Sequence, residues 1–198
     1  MKEQVLVIPS HYINIAGFIE DEIIIDRLFQ KVESNFQFLE RNIAEYDENY
    51  KQIIPQIVLK HQKEYLLLKR TVKQSEKRLH NKYSLTLGGH INPVDNSTSF
   101  ASILEKALYR ELEEEIYFNK ITRYRMNRIG LVNDSSNEVS RVHLGIVYLL
   151  EIFDKNELEI KEKENMEGTF TTIEEIKLYY DKMESWSQII FNKLEKEL

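Results

Sequence analysis

The chain has 198 residues, 42% of them hydrophobic, and a formal net charge of −6. That length suits one large domain or one domain with an extension, and the apolar share can fill a sizeable core. The acidic balance argues against duplex nucleic acid as a partner, and no apolar run of about 18 residues is present to span a membrane. The absence of cysteine excludes disulfides, thiolate catalysis and cysteine-ligated zinc, and fits an expected cytoplasmic location.

In chain order, Val5–Ile8 reads as a short strand, and the N-terminus lacks the small-residue cleavage site of a signal peptide. Between about Asp21 and Glu45, Ile25, Leu28, Phe29, Val32, Phe36, Leu39 and Ile43 recur at steps of three and four, which predicts one amphipathic helix. Its apolar face would pack on the core or on a second copy of the chain. The polar stretch Tyr46 to Tyr50 would link this extension, residues 1–50, to a main domain, residues 51–198.

Ile53–Leu59 and Tyr65–Lys69, separated by His61-Gln62-Lys63-Glu64, predict a hairpin. The basic stretch from Arg70 to Lys82 reads as a loop, and Ser84–Leu87 as a strand running into Gly88-Gly89. A helix is expected from about Phe100 to Ile116, with the apolar stripe Leu104, Leu108, Leu112 and Ile116, capped by Ser99 or by Ser102 with Glu105. Strands follow near Met126–Asn133 and Val142–Ile152, around the polar loop Asp134 to Glu138. An acidic run, Glu157 to Glu167, precedes a strand near Phe170, and Ile173–Tyr180 and Met183–Leu198 look helical. Strands and helices alternate without a strict βαβ repeat, so a mixed sheet between helices is expected.

The most informative stretch is Arg110-Glu111-Leu112-Glu113-Glu114-Glu115. At about 100° per residue, Glu111, Glu114 and Glu115 fall near 0°, 300° and 40°, on one helical face, while Glu113 falls near 200°. Like charges at i,i+4 destabilise an isolated helix by roughly 0.2–0.5 kcal/mol per pair. Such crowding points to a positive partner, most simply a divalent cation; a solvated acidic face is the plainer alternative. The histidines are less telling. His90 could contact phosphate or a metal-bound water, or make a structural hydrogen bond. His143 reads as structural, and His11, His61 and His80 share no ligand spacing. The phosphate-loop pattern G-x-x-x-x-G-K-[ST] and the nucleophile elbow G-x-S-x-G are absent.

Gly89 followed by Arg110-Glu111-Leu112-x-Glu114-Glu115 resembles the Nudix box, G-x5-E-x7-R-E-U-x-E-E-x-G-U, where U is aliphatic. The R-E-U-x-E-E half matches in full. Counting back from Arg110 puts Ser102 where the family has its first Glu, and Tyr117 stands where it has Gly. Gly89 and Arg110 are seven positions further apart than in the standard box, which places an enlarged loop in Asn92 to Ser99, rich in turn formers. Gly-Gly-His-Ile-Asn-Pro also resembles a subgroup described as predicted phosphoesterases, a likeness that extends upstream to Tyr50-Lys51-Gln52-Ile53-Ile54-Pro55.

The resemblance implies a Nudix-like α/β/α sandwich from about Lys51 onward, after an N-terminal strand and helix. It implies Mg²⁺ or Mn²⁺ held by Glu111, Glu114, Glu115 and the Gly88 carbonyl, with Arg110 as the group that orients the acids. The general base would be Glu111 on the helix or Glu164 on a later loop, which would also bind metal; Glu162, Glu167 and Glu138 are the alternatives. The implied reaction is hydrolysis of a phosphoanhydride in a nucleoside diphosphate linked to another moiety. A non-hydrolytic nucleotide-binding module on the same fold is the rival reading. An isoprenoid diphosphate isomerase is a weaker one, because that reaction uses a cysteine this chain lacks. Dimers are common in the superfamily, so the extension is a candidate homodimer contact.

Overall fold

The structure is a computed structural model that describes residues 2–70, 82–118, 123–161 and 166–197. The α/β class expected from the sequence is what it shows. Among the described residues nine strands form one large sheet, whose hydrogen-bonded order runs β11-β5-β4-β9-β8-β2, with β1, β3 and β6 off that path. These strands are β1 (Gln4–Pro9), β2 (Gly17–Ile19), β3 (Gln37–Glu40), β4 (Tyr50–His61), β5 (Glu64–Arg70), β6 (Tyr83–Ser84), β8 (Tyr124–Asn133), β9 (His143–Ile152) and β11 (Met166–Thr172). A separate pair joins β7 (Ile116–Phe118) to β10 (Leu158–Ile160). The helices are α1 (Glu22–Asn35), α2 (Arg41–Ala44), α3 (Phe100–Glu115), α4 (Glu138–Arg141), α5 (Ile173–Ile176) and α6 (Ser185–Glu195).

The chain divides into two compact units, each built from discontinuous segments. The first comprises Met1–Gln56, Gly88–Arg110 and Ile129–Val147. In it β1 pairs antiparallel with both β3 and β4, and Gly17, Phe18 and Ile19 of β2 pair with Asn133, Val132 and Leu131 of β8. Helix α1 starts where Asp21 accepts hydrogen bonds from the Ile23 and Ile24 amides, and it buries Ile25, Leu28 and Val32. The single helix expected to reach Glu45 is not formed. It stops at Phe36, and Gln37–Glu40 becomes a strand registered against Gln4 to Val7. Phe36, Leu39 and Ile43 do sit at helical spacing. Pairing with a strand some thirty residues upstream, absent from any local pattern, outweighs it. Leu39 and Tyr50 then pack on Val5, Val7 and Ala44.

The N-terminal part of α3 also lies in this unit. Ser99 caps it, accepting at its carbonyl from Ile103 N at 3.0 Å and at Oγ from Ser102 N at 3.3 Å. Ser102 therefore sits inside the first turn. The Glu33 carboxylate of α1 accepts from Phe100 N at 2.7 Å, and Phe29 meets Phe100 edge-on at 5.3 Å.

The second unit comprises Ile57–Leu87, Glu111–Arg128 and Tyr148–Leu198. The expected hairpin is present: β4 and β5 meet at Lys60↔Tyr65 and His61↔Glu64, with Gln62 in the turn at φ 54°. Seven residues of β11 register against β5. Beyond β11 the Thr172–Glu175 capping box starts α5, but the helix expected as far as Tyr180 tightens into a 3-10 segment over Lys177–Lys182. Helix α6 buries Ile190, Phe191 and Leu194, and Ser187 at its start accepts from Leu85 N at 2.9 Å. The expected loop from Arg70 to Lys82 falls largely outside the described residues.

Candidate active site

Helix α3 carries the acid cluster because its apolar stripe is sound. Leu104, Leu108 and Leu112 are all buried, as is Ile116 just beyond it. The stripe fixes which way the rest of the helix faces. Glu111 is drawn inward, at 7% exposed. Glu115 is half-buried, and Glu113 and Glu114 are exposed. Glu111, Glu114 and Glu115 therefore occupy one continuous helix at i, i+3 and i+4, the spacing at which helical side chains are neighbours.

Arg110 belongs to the first unit, and several of its hydrogen bonds are made there. Its Nε donates to Asp95 Oδ1 at 2.9 Å and its Nη2 to Asp95 Oδ2 at 2.8 Å, a bidentate fork. Nη2 also donates to the His90 carbonyl at 2.8 Å and reaches Asn92 Oδ1 at 3.4 Å. Asp95 is 3% exposed and accepts from Asn92 N at 2.8 Å as well, closing a capping box around the 3-10 turn Pro93–Asp95. Arg110 thus ties the helix to the loop that follows Gly88-Gly89.

Asp95 is a site residue that counting back from Arg110 missed. Counting forward from Gly89 with five intervening residues lands on it, in the position of the family's first Glu. The seven extra positions then fall between Asp95 and Arg110. Ser102, placed there by the backward count, bonds to Ser99 Oγ instead.

Gly88 has φ +146°, and a Cβ there would lie 2.0 Å from the Pro55 carbonyl oxygen, so close backbone approach demands glycine. His90 is held neutral: burial is the main cause, with repulsion from Arg41, His143 and Arg110, and its pKa falls to about 3. Its ring lies 5.6 Å from that of His143, whose pKa burial also lowers and whose Nδ1 sits 2.6 Å from the Val139 carbonyl. Lys51 is 6% exposed, with Nζ 3.3 Å from the His143 carbonyl, and burial lowers its pKa too. Glu138 is exposed at the start of α4, and Glu167 is exposed in β11 opposite Lys69. Glu162 and Glu164 lie outside the described residues.

Among the described residues no three His, Asp or Glu side chains are already gathered closely enough to hold a metal ion. The donor chemistry does fit one. Glu111, Glu114 and Glu115 are hard oxygen donors without sulfur, the set suited to Mg²⁺ or Mn²⁺, and rotation about their side-chain bonds is what would bring them together.

No family model matches the chain. It is 34% identical over 203 residues to protein YmaB of Bacillus subtilis (strain 168), covering 98% of each. It is also similar to the crystal structure of Tm1382, provisionally described as a Nudix hydrolase, at 31% identity and TM-score 0.82 over 99% of this chain and 100% of that one. At lower identity it shares a fold with the NUDIX domain of Shewanella oneidensis NrtR complexed with ADP ribose (12%, TM-score 0.55, 74% of this chain and 88% of that one). The same holds for a bifunctional NMN adenylyltransferase/ADP ribose pyrophosphatase from Francisella tularensis complexed with AMP and manganese (16%, TM-score 0.51, 74% and 42%). With a full-length likeness above 30%, and an R-E-U-x-E-E helix that folds as the box requires, the chain belongs to the Nudix hydrolases, enzymes that act on acid anhydrides.

Proposed function

We propose that the chain hydrolyses a phosphoanhydride bond in a nucleoside diphosphate linked to another moiety, with Mg²⁺ or Mn²⁺ held by Glu111, Glu114 and Glu115. The observation that carries this reading is Glu111, a carboxylate at 7% exposure on the same helical face as two further carboxylates. The family pattern implies the Gly88 carbonyl as a further donor. When bound, the ion would neutralise charge on the diphosphate oxygens and lower the pKa of a coordinated water.

Glu111 is the proposed acceptor of the proton from the attacking water, with Glu164 as the alternative. Arg110 stays charged and takes no proton; its clamp on Asp95 and on the His90 carbonyl fixes the start of the acid run. The Shewanella oneidensis NUDIX domain is complexed with ADP ribose and the bifunctional Francisella tularensis protein with AMP and manganese, which supports a nucleotide-linked substrate.

The test is a screen of nucleoside diphosphate conjugates, ADP ribose among them, with Mg²⁺ or Mn²⁺ and product separation by chromatography. Glu114→Gln combined with Glu115→Gln is expected to cut kcat/KM at least about 100-fold, or about 2.7 kcal/mol. Unaltered hydrolysis by that variant, or a wild-type chain that binds no divalent cation, would reject the proposal. Tight binding of one compound with turnover of none would favour a binding module instead.

A further inference from the structure

The last turn of α3 poses an electrostatic problem that the family pattern solves differently. Glu113, Glu114 and Glu115 crowd a helix C-terminus, where unsatisfied carbonyls already carry roughly half a negative charge. The last turn contains no basic residue. In the box pattern a glycine follows Glu115 at the second position. That is where a left-handed residue lets a chain fold its own amides back onto the final carbonyls. Here the position is Tyr117, in the middle of β7 and opposite Glu159 of β10. A residue in an extended strand does not make a glycine-type cap.

The carbonyls are met from another segment. Residue 161 lies one step beyond the Ile160↔Ile116 pair that closes the β7–β10 ladder. Lys161 N donates to the Glu115 carbonyl at 2.8 Å, and Lys161 Nζ donates to the Glu113 carbonyl. One residue therefore brings two hydrogen bonds and a positive charge to the end of the helix that bears Glu111, Glu114 and Glu115. A cation at a helix C-terminus is favourable.

We propose that Lys161 is a positioning residue for the metal-binding carboxylates, capping the box helix in place of the glycine that this chain lacks. The inference rests on the reading that Glu111, Glu114 and Glu115 hold a divalent cation. Lys161 is exposed and packs into no core, so its replacement leaves the fold intact. Without its side chain, the last turn would fray and the three acids would lose their fixed spacing.

The experiment is Mn²⁺ titration of the substrate-free chain, followed by the paramagnetic resonance signal of free Mn²⁺, with Tm measured in parallel. Lys161→Met, which keeps the aliphatic stem, is expected to weaken Mn²⁺ binding at least five-fold. Lys161→Arg, which keeps the charge and a donor, should stay within two-fold of wild type. Lys161→Met within two-fold of wild type, or tighter through relief of repulsion, would overturn the inference, as would Lys161→Arg binding as weakly as Lys161→Met. A wild-type chain that bound no Mn²⁺ would instead defeat the metal reading itself.

Discussion

Asp95→Asn is the sharpest test of how the loop after Gly88-Gly89 is held to α3. The native carboxylate is 3% exposed and accepts from Arg110 Nε, Arg110 Nη2 and Asn92 N at 2.8–2.9 Å. Asparagine has nearly the same shape, but its Nδ2 must face one of these donors, so at least one bond becomes a donor–donor clash. Hydrogen bonds to a charged group are each worth about 1.5–3 kcal/mol. Stranding one member of a fully buried pair costs about 3–5 kcal/mol. The Arg110 side chain is 23% exposed, so water recovers part of this. The expected loss is about 2–3 kcal/mol. For a chain of this length that corresponds to roughly 5–10 °C in Tm. Urea unfolding followed by circular dichroism measures it, and an unchanged m-value shows that the denatured state is unaffected. Asp95→Glu, which restores the family's usual acid, should lose less. A loss below about 0.5 kcal/mol for Asp95→Asn at constant m would show that the Arg110 fork does not hold the loop.

Three other outcomes are expected. Gly88→Ala, whose Cβ would lie 2.0 Å from the Pro55 carbonyl oxygen at φ +146°, should lose about 3 kcal/mol or more; a wild-type Tm would mean that the loop shifts freely. His90 has its pKa lowered to about 3 by burial, so below the ordinary value near 6.5 the unfolded chain binds a proton that the folded chain does not. Its stabilisation is full above about pH 6.5 and drains as pH falls toward 3, by about 2 kcal/mol at pH 5. Thermal melts of wild type and His90→Gln should converge in pH dependence if this is wrong. Gln52 is fully buried in β4, and neither of its side-chain amide atoms has a hydrogen-bond partner among the described residues. Gln52→Leu should therefore raise stability by about 1–3 kcal/mol, and a lowered Tm in calorimetry would reveal an internal partner such as bound water.

The sequence made some features plain because their cause is local. Leu104, Leu108 and Leu112 announced α3 by spacing alone, and all three are buried. His61 to Glu64 announced the β4–β5 turn. The features that stayed hidden depend on distant partners. The strand Gln37–Glu40 exists because β1 is beside it, and the three-residue strands β2, β7 and β10 are too short to carry a period. Asp95 was legible by counting from Gly89 but not from Arg110, because inserted positions spoil one count and not the other. Lys161 left no signal, since its place at the end of α3 is set by the β7–β10 register.

The pairing of β2 with β8 also governs the order in which a newly made chain can fold. Ile19 finds its partner in Leu131, about 110 residues later, and β5 must wait about as long for β11. At synthesis rates of about 5–20 residues per second, each early strand stands for roughly 5–20 seconds with an edge that nothing yet covers. Neither unit can close before its last segment leaves the ribosome. Non-local pairing of this kind slows folding and prolongs exposure to aggregation, so the cost of this architecture falls on the nascent chain rather than on the finished enzyme.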